Sequence, residues 1–360
     1  MFALQYCWLF TTHYSLLIVK RFCSWLTIGL VFSLVLGCIA VDRDRSYIKE
    51  ISENLYLPPR QDFRIVVISD LNSQYGATEY EPEVEQAIAL IPQWQPDLVL
   101  CGGDMIAGQK ASLTKSQIRS MWAAFDRHVA APLRRQNIPF GFTIGNHDGS
   151  GAIKEQTLIF EQERELAREY WQQKDTNLSF VDRANFPFYY TFELDDIFFL
   201  VWDASSAEMS TQQLSWIERT LQSSTAQQAT ARIVLGHLPL YPVAKTKNKP
   251  GEYLTEGEKL RSLLNANRVL GYVSGHHHVY YPGRVENLEL LHAGALGQGE
   301  RQLIDSELLP QKTLIVMDLN LTEMGLTYTA YDATSWRRIP LEKLPDFIPY
   351  EKGKIWRYDR

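Results

Sequence analysis

Five short apolar runs, each followed directly by glycine or a polar side chain, constrain the fold of this chain more than any other feature. They occupy residues 64–69, 96–101, 139–144, 232–235 and 269–274. Runs of this length with few polar interruptions predict strands buried on both faces, although a buried helical segment can have the same pattern. Open α/β sheets build their sites outside the carboxyl ends of such strands, so the side chains that follow the runs are expected to converge.

Potential metal ligands follow every one of these runs. The stretches are Asp70-Leu71-Asn72, Gly103-Asp104, Gly145-Asn146-His147-Asp148, Gly236-His237 and Gly275-His276-His277-His278. In the last stretch an extended backbone points the first and third imidazoles the same way and the middle one the opposite way. Neutral imidazole is a common ligand of zinc, iron and manganese. The sequence therefore predicts a metal centre at one edge of the sheet.

The order of these stretches resembles that of the calcineurin-like metallophosphoesterases. Their pattern runs Asp-x-His, Gly-Asp, Gly-Asn-His-Asp/Glu, a lone His and Gly-His-x-His. The resemblance extends over roughly residues 63–296 and includes two further stretches, 213–218 and 291–294. It implies an α/β fold of two mixed β-sheets packed face to face with flanking helices. It also implies an enzyme that hydrolyses phosphate esters with two divalent ions, drawn from Mn, Fe, Zn or Mg, as cofactors.

The resemblance implies a role for each matching residue. Asp104 would bridge the two ions, and the first ion would also take Asp70 and His278. The second ion would take four ligands: Asp104, Asn146, His237 and His276. His147 would protonate the leaving oxygen, and Asp148 would orient its imidazole. Two dications about 3.5–4 Å apart lower the pKa of a bridging water and hold the phosphate oxygens, so a bridging hydroxide would be the nucleophile.

Asn72 departs from the family pattern, which usually has His at this position. An amide oxygen is a harder and weaker ligand than imidazole and favours Mg²⁺ or Mn²⁺. Asn72 is a weak ligand of the first ion, or a hydrogen-bonding neighbour of that ion's ligands, or the mark of a half-empty site. The first two are favoured because every other ligand position is filled.

Two alternatives to a phosphomonoesterase follow from the same residues. A chain that kept the fold but lost turnover through the change at Asn72 would be a metal-dependent binding or regulatory module. Within the enzymes, a phosphodiesterase or nuclease uses the same ligands, because substrate choice depends on loops such as residues 107–113 and 243–253.

The first 41 residues differ from the rest of the chain. Lys20 and Arg21 precede an apolar stretch of 20 residues without charge, residues 22–41. Such a stretch can cross a bilayer as an anchor, or it can be a secretory signal, with Cys38 lipidated after cleavage. The basic pair predicts export of the remainder, attached to the membrane on the periplasmic or cell-surface side of a bacterium. Residues 42–62 are expected to be a tether, and residues 63–360 the catalytic domain.

The composition limits the classes of partner that the chain is expected to bind. A net charge of −6 argues against non-specific binding to nucleic acid, whose binding proteins usually carry a basic face. The expected partners are a phosphate-ester substrate and, through the first 41 residues, a membrane; the sequence sets no oligomeric state. Cys101 is the single cysteine after the leader, so the globular part has no internal disulfide.

The segments between the motifs are predicted to form helices, a hairpin and a turn. Helices are predicted over residues 81–94, 116–136 and 154–173. A hairpin is predicted around Asp195-Asp196, and Asp203 is expected to form a turn or to cap the helix that begins at Thr211.

Two residues and one loop outside the motifs also have predicted positions. His292 is expected to be either a hydrogen-bonded core histidine or a site residue. Arg301 could reach a phosphate, but a solvated loop residue is the favoured expectation. The loop at residues 241–253 is expected to rim the substrate pocket.

Overall fold

The computed structural model describes residues 46–72 and 74–360, and the predicted signal or anchor, residues 1–41, lies outside them. Residues 46–54 form a helix, α1, which belongs to a different compact unit from Leu55–Arg360. Within the described residues, no helix has both the length and the apolar composition that crossing a membrane requires.

The larger unit alternates strands and helices. Its strands are β1 (Phe63–Ile68), β2 (Leu98–Cys101), β3 (Phe140–Phe142), β4 (Ile153–Lys154), β5 (Thr157–Leu158), β6 (Ser179–Asn185), β7 (Tyr189–Leu194), β8 (Ile197–Val201), β9 (Ala231–Leu235), β10 (Gly271–Ser274), β11 (Tyr281–Val285), β12 (Leu288–His292), β13 (Thr313–Asn320), β14 (Gly325–Asp332), β15 (Arg337–Arg338), β16 (Phe347–Tyr350) and β17 (Gly353–Arg357). Its helices are α2 (Pro82–Leu90), α3 (Lys115–Phe125), α4 (Ala131–Arg135), α5 (Asn146–Gly149), α6 (Glu161–Gln172), α7 (Thr211–Leu221), α8 (Ser224–Gln228) and α9 (Gly257–Ala266). Short 3₁₀ turns lie at Ile91–Trp94, Lys245–Lys247 and Leu341–Lys343, and a π-helical turn lies at Asp126–Ala130.

Two mixed sheets carry most of these strands. The six-stranded sheet has the order β15-β14-β13-β1-β2-β3, and the nine-stranded sheet has the order β16-β17-β11-β12-β10-β9-β8-β7-β6. Aromatic side chains of the two sheets meet: ring centroids are 6.4 Å apart for Phe63 and Phe199, and 5.7 Å apart for Phe142 and Tyr190. The prediction of an α/β fold with mixed sheets and helices is confirmed.

The five strands predicted from the apolar runs are confirmed as β1, β2, β3, β9 and β10. β1, β2 and β3 are parallel neighbours, as are β9 and β10, so within each sheet their carboxyl ends share one edge. Arg64 is the one charged residue in β1 and is only 4% exposed. Asp318 of β13 neutralises it, with 2.8 Å between Arg64 Nε and Asp318 Oδ1, so the strand can be buried on both faces.

Two helix predictions are wrong in their bounds. The helix expected from residue 154 begins at Glu161, because residues 153–158 form the β4–β5 hairpin, with positive φ at Glu155 and Gln156. The helix expected over residues 116–136 divides into α3 and α4 around the π-helical turn. Pro132 lies at the start of α4 and has no N–H to continue a regular helix.

Other local predictions are confirmed. The hairpin of β7 and β8 turns at Asp195 and Asp196, both with positive φ, as a tight two-residue turn requires. The backbone N–H of Ser205 donates to Asp203 Oδ1 at 3.2 Å, so Asp203 forms a turn. Ser210, not Asp203, caps α7 with its side-chain oxygen.

Candidate metal centre

The predicted ligands lie in turns directly after their strands. The backbone is in the left-handed region at four of them, with φ of 52° at Asp70, 52° at Asp104, 65° at His276 and 53° at His278. This uncommon conformation turns the chain sharply at the strand end. The backbone N–H of Asp70 donates to the Gly103 carbonyl at 2.9 Å, so the turns after β1 and β2 are held together.

Gly145 lets the turn after β3 approach the turn after β2. A Cβ added at Gly145 would overlap the carboxylate of Asp104, which only glycine avoids. The backbone N–H of His147 donates to Asp104 Oδ1 at 2.8 Å, and Asp104 Oδ2 lies 3.3 Å from His237 Nε2. The Asp104 carboxylate is therefore buried at the meeting point of three turns.

The side chains expected to bind the first ion meet at Asp70. Its Oδ1 lies 3.0 Å from His278 Nε2, and its Oδ2 accepts from the Ser69 hydroxyl at 2.6 Å. His278 Nδ1 lies 2.7 Å from the Gly299 carbonyl oxygen. Because a carbonyl only accepts, this ring donates from Nδ1, which leaves Nε2, facing Asp70, as the nitrogen that can bind an ion.

The side chains expected to bind the second ion meet at Asn146 Oδ1. This oxygen lies 2.9 Å from His237 Nε2 and 2.8 Å from His276 Nδ1. The Asn146 amide is oriented by its own Nδ2, which donates to Gln109 Oε1 at 2.7 Å. All three converging side chains are buried, and His237 is fully so.

The opposite nitrogen of each of these two rings has a partner of its own. His237 Nδ1 lies 2.7 Å from the Gly102 carbonyl oxygen, and His276 Nε2 lies 3.0 Å from Glu252 Oε2. Both partners accept, so each ring can carry a proton on the far side and leave the nitrogen that faces the Asn146 oxygen free to bind an ion. Without an ion, a proton on a facing nitrogen is donated to that oxygen, and a bound cation would take the place of that proton.

The spacing of these donor atoms fits a divalent ion. Neighbouring ligands of an octahedral ion with bonds of about 2.1 Å are about 3.0 Å apart. The observed separations at His237 and His276 are 2.8, 2.9 and 3.3 Å. One ligand atom each from Asp70, Asp104 and His237 lies within 4.8 Å of the others, so the two groups adjoin at Asp104. The donors of the described residues can therefore hold divalent metal.

Burial and the close charges within the site shift the pKa values of its acidic and imidazole groups. Burial alone would raise the pKa of Asp104, but the charges of His237 and His147 outweigh burial and hold that pKa below its ordinary value. Burial lowers the pKa of His237, and the Asp104 charge outweighs it and raises the pKa to about 9. Burial, with the charge of His237, holds the pKa of His276 well below its ordinary value, which favours the neutral imidazole that binds metals.

The polar atoms of Asn72 contact the loop that follows it. Asn72 Oδ1 accepts from the Gln74 backbone N–H at 3.3 Å, and its Nδ2 lies 3.4 Å from the Ala77 oxygen and 3.5 Å from the Glu79 oxygen. None of these three partners is a predicted ligand. The roles of Asn72 as a weak ligand or as a hydrogen-bonding neighbour of the ligands therefore both stay predictions.

His147 faces a cleft beside the predicted ligands. Its Nε2 lies 4.0 Å from Asp104 Oδ2, and its ring packs against Tyr75 with centroids 5.4 Å apart. Its Nδ1 lies 3.3 Å from the Gly108 carbonyl oxygen. The side chain is 20% exposed, so one edge of the ring reaches solvent.

The expectation that Asp148 orients the His147 imidazole directly is wrong. The Asp148 carboxylate accepts from the backbone N–H groups of Ile106 and Gly145, each at 2.9 Å. Asp148 lies in the first turn of α5, so its side chain folds back over the start of that turn. Burial, and then the charge of Asp104, raise the pKa of Asp148 to about 7.

A cleft of about 600 Å³ opens beside Asn146, His147 and His276. Three serines and two cationic residues are among its lining: Ser150, Ser205, Ser206, Lys247 and Arg301. Lys247 and Glu252 lie in the loop at residues 241–253, so the prediction that this loop rims the pocket is confirmed.

The expectation that Arg301 is solvated is wrong, because its side chain is half-buried in the wall of the cleft. Among the described residues, its buried Nε has no hydrogen-bond partner, and its Nη1 is 3.4 Å from Thr246 Oγ1. His292 is a core histidine, 1% exposed, with Nδ1 3.2 Å from the Tyr281 oxygen. Cys101 is buried and free.

Two further residues of the site had no signal in the sequence. Gln109 and Glu252 orient Asn146 and His276, yet both lie in irregular loops far along the chain from those residues. Neither loop has a periodic pattern, so only the folded structure brings these contacts together.

Comparison with known proteins agrees with the geometry. The family Calcineurin-like phosphoesterase matches residues 63–280. The serine/threonine-protein phosphatase CPPED1 of Rattus norvegicus is 25% identical over 243 residues, which cover 63% of this chain and 69% of the rat protein. The purple acid phosphatase PPD1 from yellow lupin (Lupinus luteus) seeds is 16% identical with a TM-score of 0.55, over 79% of this chain and 54% of that structure.

The chain thus spans about half the length of the lupin structure, a likeness that shows the fold. The family match covers more than half of the chain, and its members use divalent metals to hydrolyse phosphate esters. This protein is a hydrolytic phosphoesterase and belongs to the calcineurin-like phosphoesterase family.

Proposed function

We propose that this protein hydrolyses phosphate monoesters at a centre of two divalent ions, with His147 as the acid. The arrangement around Asn146 Oδ1 carries the proposal. Two imidazole nitrogens lie 2.8 and 2.9 Å from that oxygen, and the opposite nitrogen of each ring already has an accepting partner. A divalent ion at this point would take the place of the ring protons and bind the oxygen and both nitrogens at once.

The ligands would divide between two ions that share Asp104. The first ion would take Asp70, Asp104 and His278, with Asn72 as a weak ligand or a hydrogen-bonding neighbour. The second ion would take Asp104, Asn146, His237 and His276. Two bound ions supply a nucleophile by lowering the pKa of water, and they hold the phosphate oxygens in line for displacement. Mn, Fe, Zn and Mg are all compatible with this mixture of oxygen and nitrogen donors.

His147 would protonate the leaving oxygen. Its Nδ1 faces the Gly108 carbonyl at 3.3 Å, which leaves Nε2 to hold the proton that is transferred. The Asp104 carboxylate, with Oδ2 4.0 Å from that Nε2, stabilises the doubly protonated ring. A positioned acid of this kind contributes roughly 10²–10⁴ to the rate.

Arg301 would bind the phosphate oxygen that the ions leave free. Its guanidinium lies in the wall of the cleft, and its Nε is buried without an acceptor among the described residues. Guanidinium groups bind phosphate oxygens through paired N–H donors. In a monoester that third oxygen is charged, whereas in a diester it carries a second ester group. The name of the rat relative also favours phosphorylated serine or threonine over a diester.

The alternative of a binding or regulatory module without turnover is set aside, because the family match and the phosphatase relative support a hydrolytic enzyme. A phosphodiesterase or nuclease is the alternative within enzymes.

We also propose that the chain is exported and attached to a membrane through residues 1–41. The uncharged stretch at residues 22–41, preceded by Lys20 and Arg21, supports this proposal. Cell fractionation and labelling with a radioactive fatty acid would test it. Label that persists in Cys38→Ser would exclude lipidation at that residue.

A substrate panel tests the catalytic proposal. The full-length protein, stripped of metal and then supplied with Mn²⁺, Zn²⁺ or Mg²⁺, would be assayed with p-nitrophenyl phosphate, bis(p-nitrophenyl) phosphate and a phosphoserine peptide. We expect monoesters to be hydrolysed faster than the diester. Arg301→Ala should raise the KM for monoesters, and the exposed Arg337→Ala is the matched control. Two bound ions without hydrolysis of any ester would contradict the proposed catalysis, and faster hydrolysis of the diester would indicate a diesterase.

A further inference from the structure

The middle histidine of the Gly-His-His-His stretch anchors the loop at residues 241–253. His277 is fully buried, its Nδ1 accepts from the Val243 backbone N–H at 3.2 Å, and its Nε2 donates to the Glu252 carbonyl oxygen at 2.8 Å. One imidazole thus binds both ends of the loop. The backbone of Glu252 is held beside the metal centre by a residue adjacent to the predicted ligand His276.

The Glu252 side chain lies between that ligand and the cleft. Its Oε2 is 3.0 Å from His276 Nε2 and 2.6 Å from Lys247 Nζ. Glu252 is 20% exposed and Lys247 is 16% exposed, so the pair is largely shielded from water. Lys247 Nζ also lies 3.5 Å from His276 Nε2, but each of the two groups is closer to Glu252, so Glu252 is the acceptor they share.

We infer that Glu252 is the positioning residue that directs His276 Nδ1 at the second ion. The inference rests on the proposed function, since it requires His276 to be a ligand. By accepting the proton on Nε2, the carboxylate holds the imidazole in the tautomer whose lone pair faces Asn146 Oδ1. It also fixes the ring orientation and increases the electron density that Nδ1 donates. Carboxylates that hold metal-binding imidazoles in this way typically contribute about 10–100-fold in metal affinity.

His276 differs in this respect from the other two predicted imidazole ligands. His237 donates to the Gly102 carbonyl and His278 to the Gly299 carbonyl, so both have neutral partners. Of the three, His276 alone has a carboxylate at the nitrogen that faces away from the predicted ligand cluster, and that carboxylate is also paired with Lys247. The second ion is therefore linked, through Glu252, to a cationic side chain in the wall of the cleft.

Metal titration of the full-length protein tests the inference without relying on turnover. Apo-protein would be titrated with Co²⁺ in competition with a chelating dye, and the visible absorption of Co²⁺ would report the ligands of each ion. We expect Glu252→Ala to weaken one of the two ions by roughly 10–100-fold, to change its spectrum and to leave the other unchanged. Glu252→Gln retains an acceptor oxygen and should lose less.

Two further variants separate positioning from loop folding. Lys247→Ala removes the ion pair but leaves Glu252 on His276, so its Co²⁺ affinity should remain within a few-fold of wild type. Glu256→Ala, an exposed residue four positions along, should bind both ions as the wild type does. Thermal unfolding would verify that every variant is folded.

Three outcomes have different meanings. Wild-type affinity for both ions in Glu252→Ala would overturn the inference, as would an equal loss in Lys247→Ala and Glu252→Ala, because the ion pair would then account for the effect. A wild-type protein that binds fewer than two ions would instead contradict the proposed two-metal centre. The wild-type titration therefore distinguishes failure of the proposed function from failure of the role of Glu252.

Discussion

The two halves of the candidate metal centre differ in how completely their donor atoms are held. Around Asn146, each donor side chain has a second contact that orients it: Gln109 for the amide, the Gly102 carbonyl for His237 and Glu252 for His276. Around Asp70, the carboxylate and His278 are similarly held. Asn72, at the position where the family usually has His, instead bonds to its own loop.

This difference between the halves should change the free-energy cost of ordering the ligand side chains when metal binds. Donors that already point inward lose little freedom on binding, whereas a site with one ligand turned away must reorganise or bind with fewer bonds. We therefore expect the second ion to bind more tightly and the first to exchange more readily.

Asp104→Asn should weaken metal binding in both halves of the centre, so the difference in affinity between the two ions should disappear. Asp104 lies between the two groups, and a neutral amide cannot bridge two dications as a carboxylate does. We expect hydrolysis to fall below detection and elemental analysis to find less metal. Asp196→Asn, at the exposed turn between β7 and β8, is the control. Unchanged metal content in Asp104→Asn would remove Asp104 from its assigned role.

His147→Ala should leave the metal affinity of both halves unchanged, yet it should lower turnover by roughly 10²–10⁴. The side chain donates a proton in our proposal and binds no ion, so metal content should match the wild type. The loss should shrink for substrates with acidic leaving groups, which depart without a proton. An equal loss for good and poor leaving groups would exclude His147 as the acid.

Much of this arrangement was predictable from the chain itself. Parallel strands bring their carboxyl ends to one edge, so the apolar runs before Asp70, Asp104 and Asn146 predicted that these side chains converge. The runs before His237 and His276 gave the same prediction for the second sheet. Their assignment as ligands came from the family resemblance and stays a prediction.

The contacts that orient these side chains were not predictable. Glu252 reaches His276 from an irregular loop with no periodic pattern, and the half-buried position of Arg301 depends on long-range packing. Asp148 was assigned to His147 by analogy, yet its carboxylate bonds to the backbone of Ile106 and Gly145, because it folds back over the start of α5. Such errors arise where the partner of a polar group is decided by tertiary structure rather than by local sequence.

Stepwise removal of metal should reveal the two halves directly. With a chelator of graded strength, we expect one equivalent to leave before the other, with affinities at least about tenfold apart, or ~1.4 kcal/mol. The ion retained longest should be the one lost in Asn146→Ala, and the ion released first should be the one lost in His278→Ala. Release of both equivalents together would show that the halves do not differ in affinity.

Substitutions at Asn72 should have the smallest effect and should affect the first ion alone. Asn72→Ala removes the contacts with Gln74, Ala77 and Glu79 but no strong ligand, so we expect a loss of first-ion affinity of less than about tenfold. Asn72→His would add an imidazole, which binds first-row transition ions better than an amide oxygen does, so first-ion affinity for Zn²⁺ should rise. Turnover need not rise with it, because a more tightly bound ion can make its nucleophile less reactive.

Gln74→Ala, on the same loop, is the control, and metal titration of all three variants is the measurement. An Asn72→Ala protein that holds half the metal at saturating concentrations would show instead that Asn72 is a direct ligand. The two halves would then differ only in the strength of one bond.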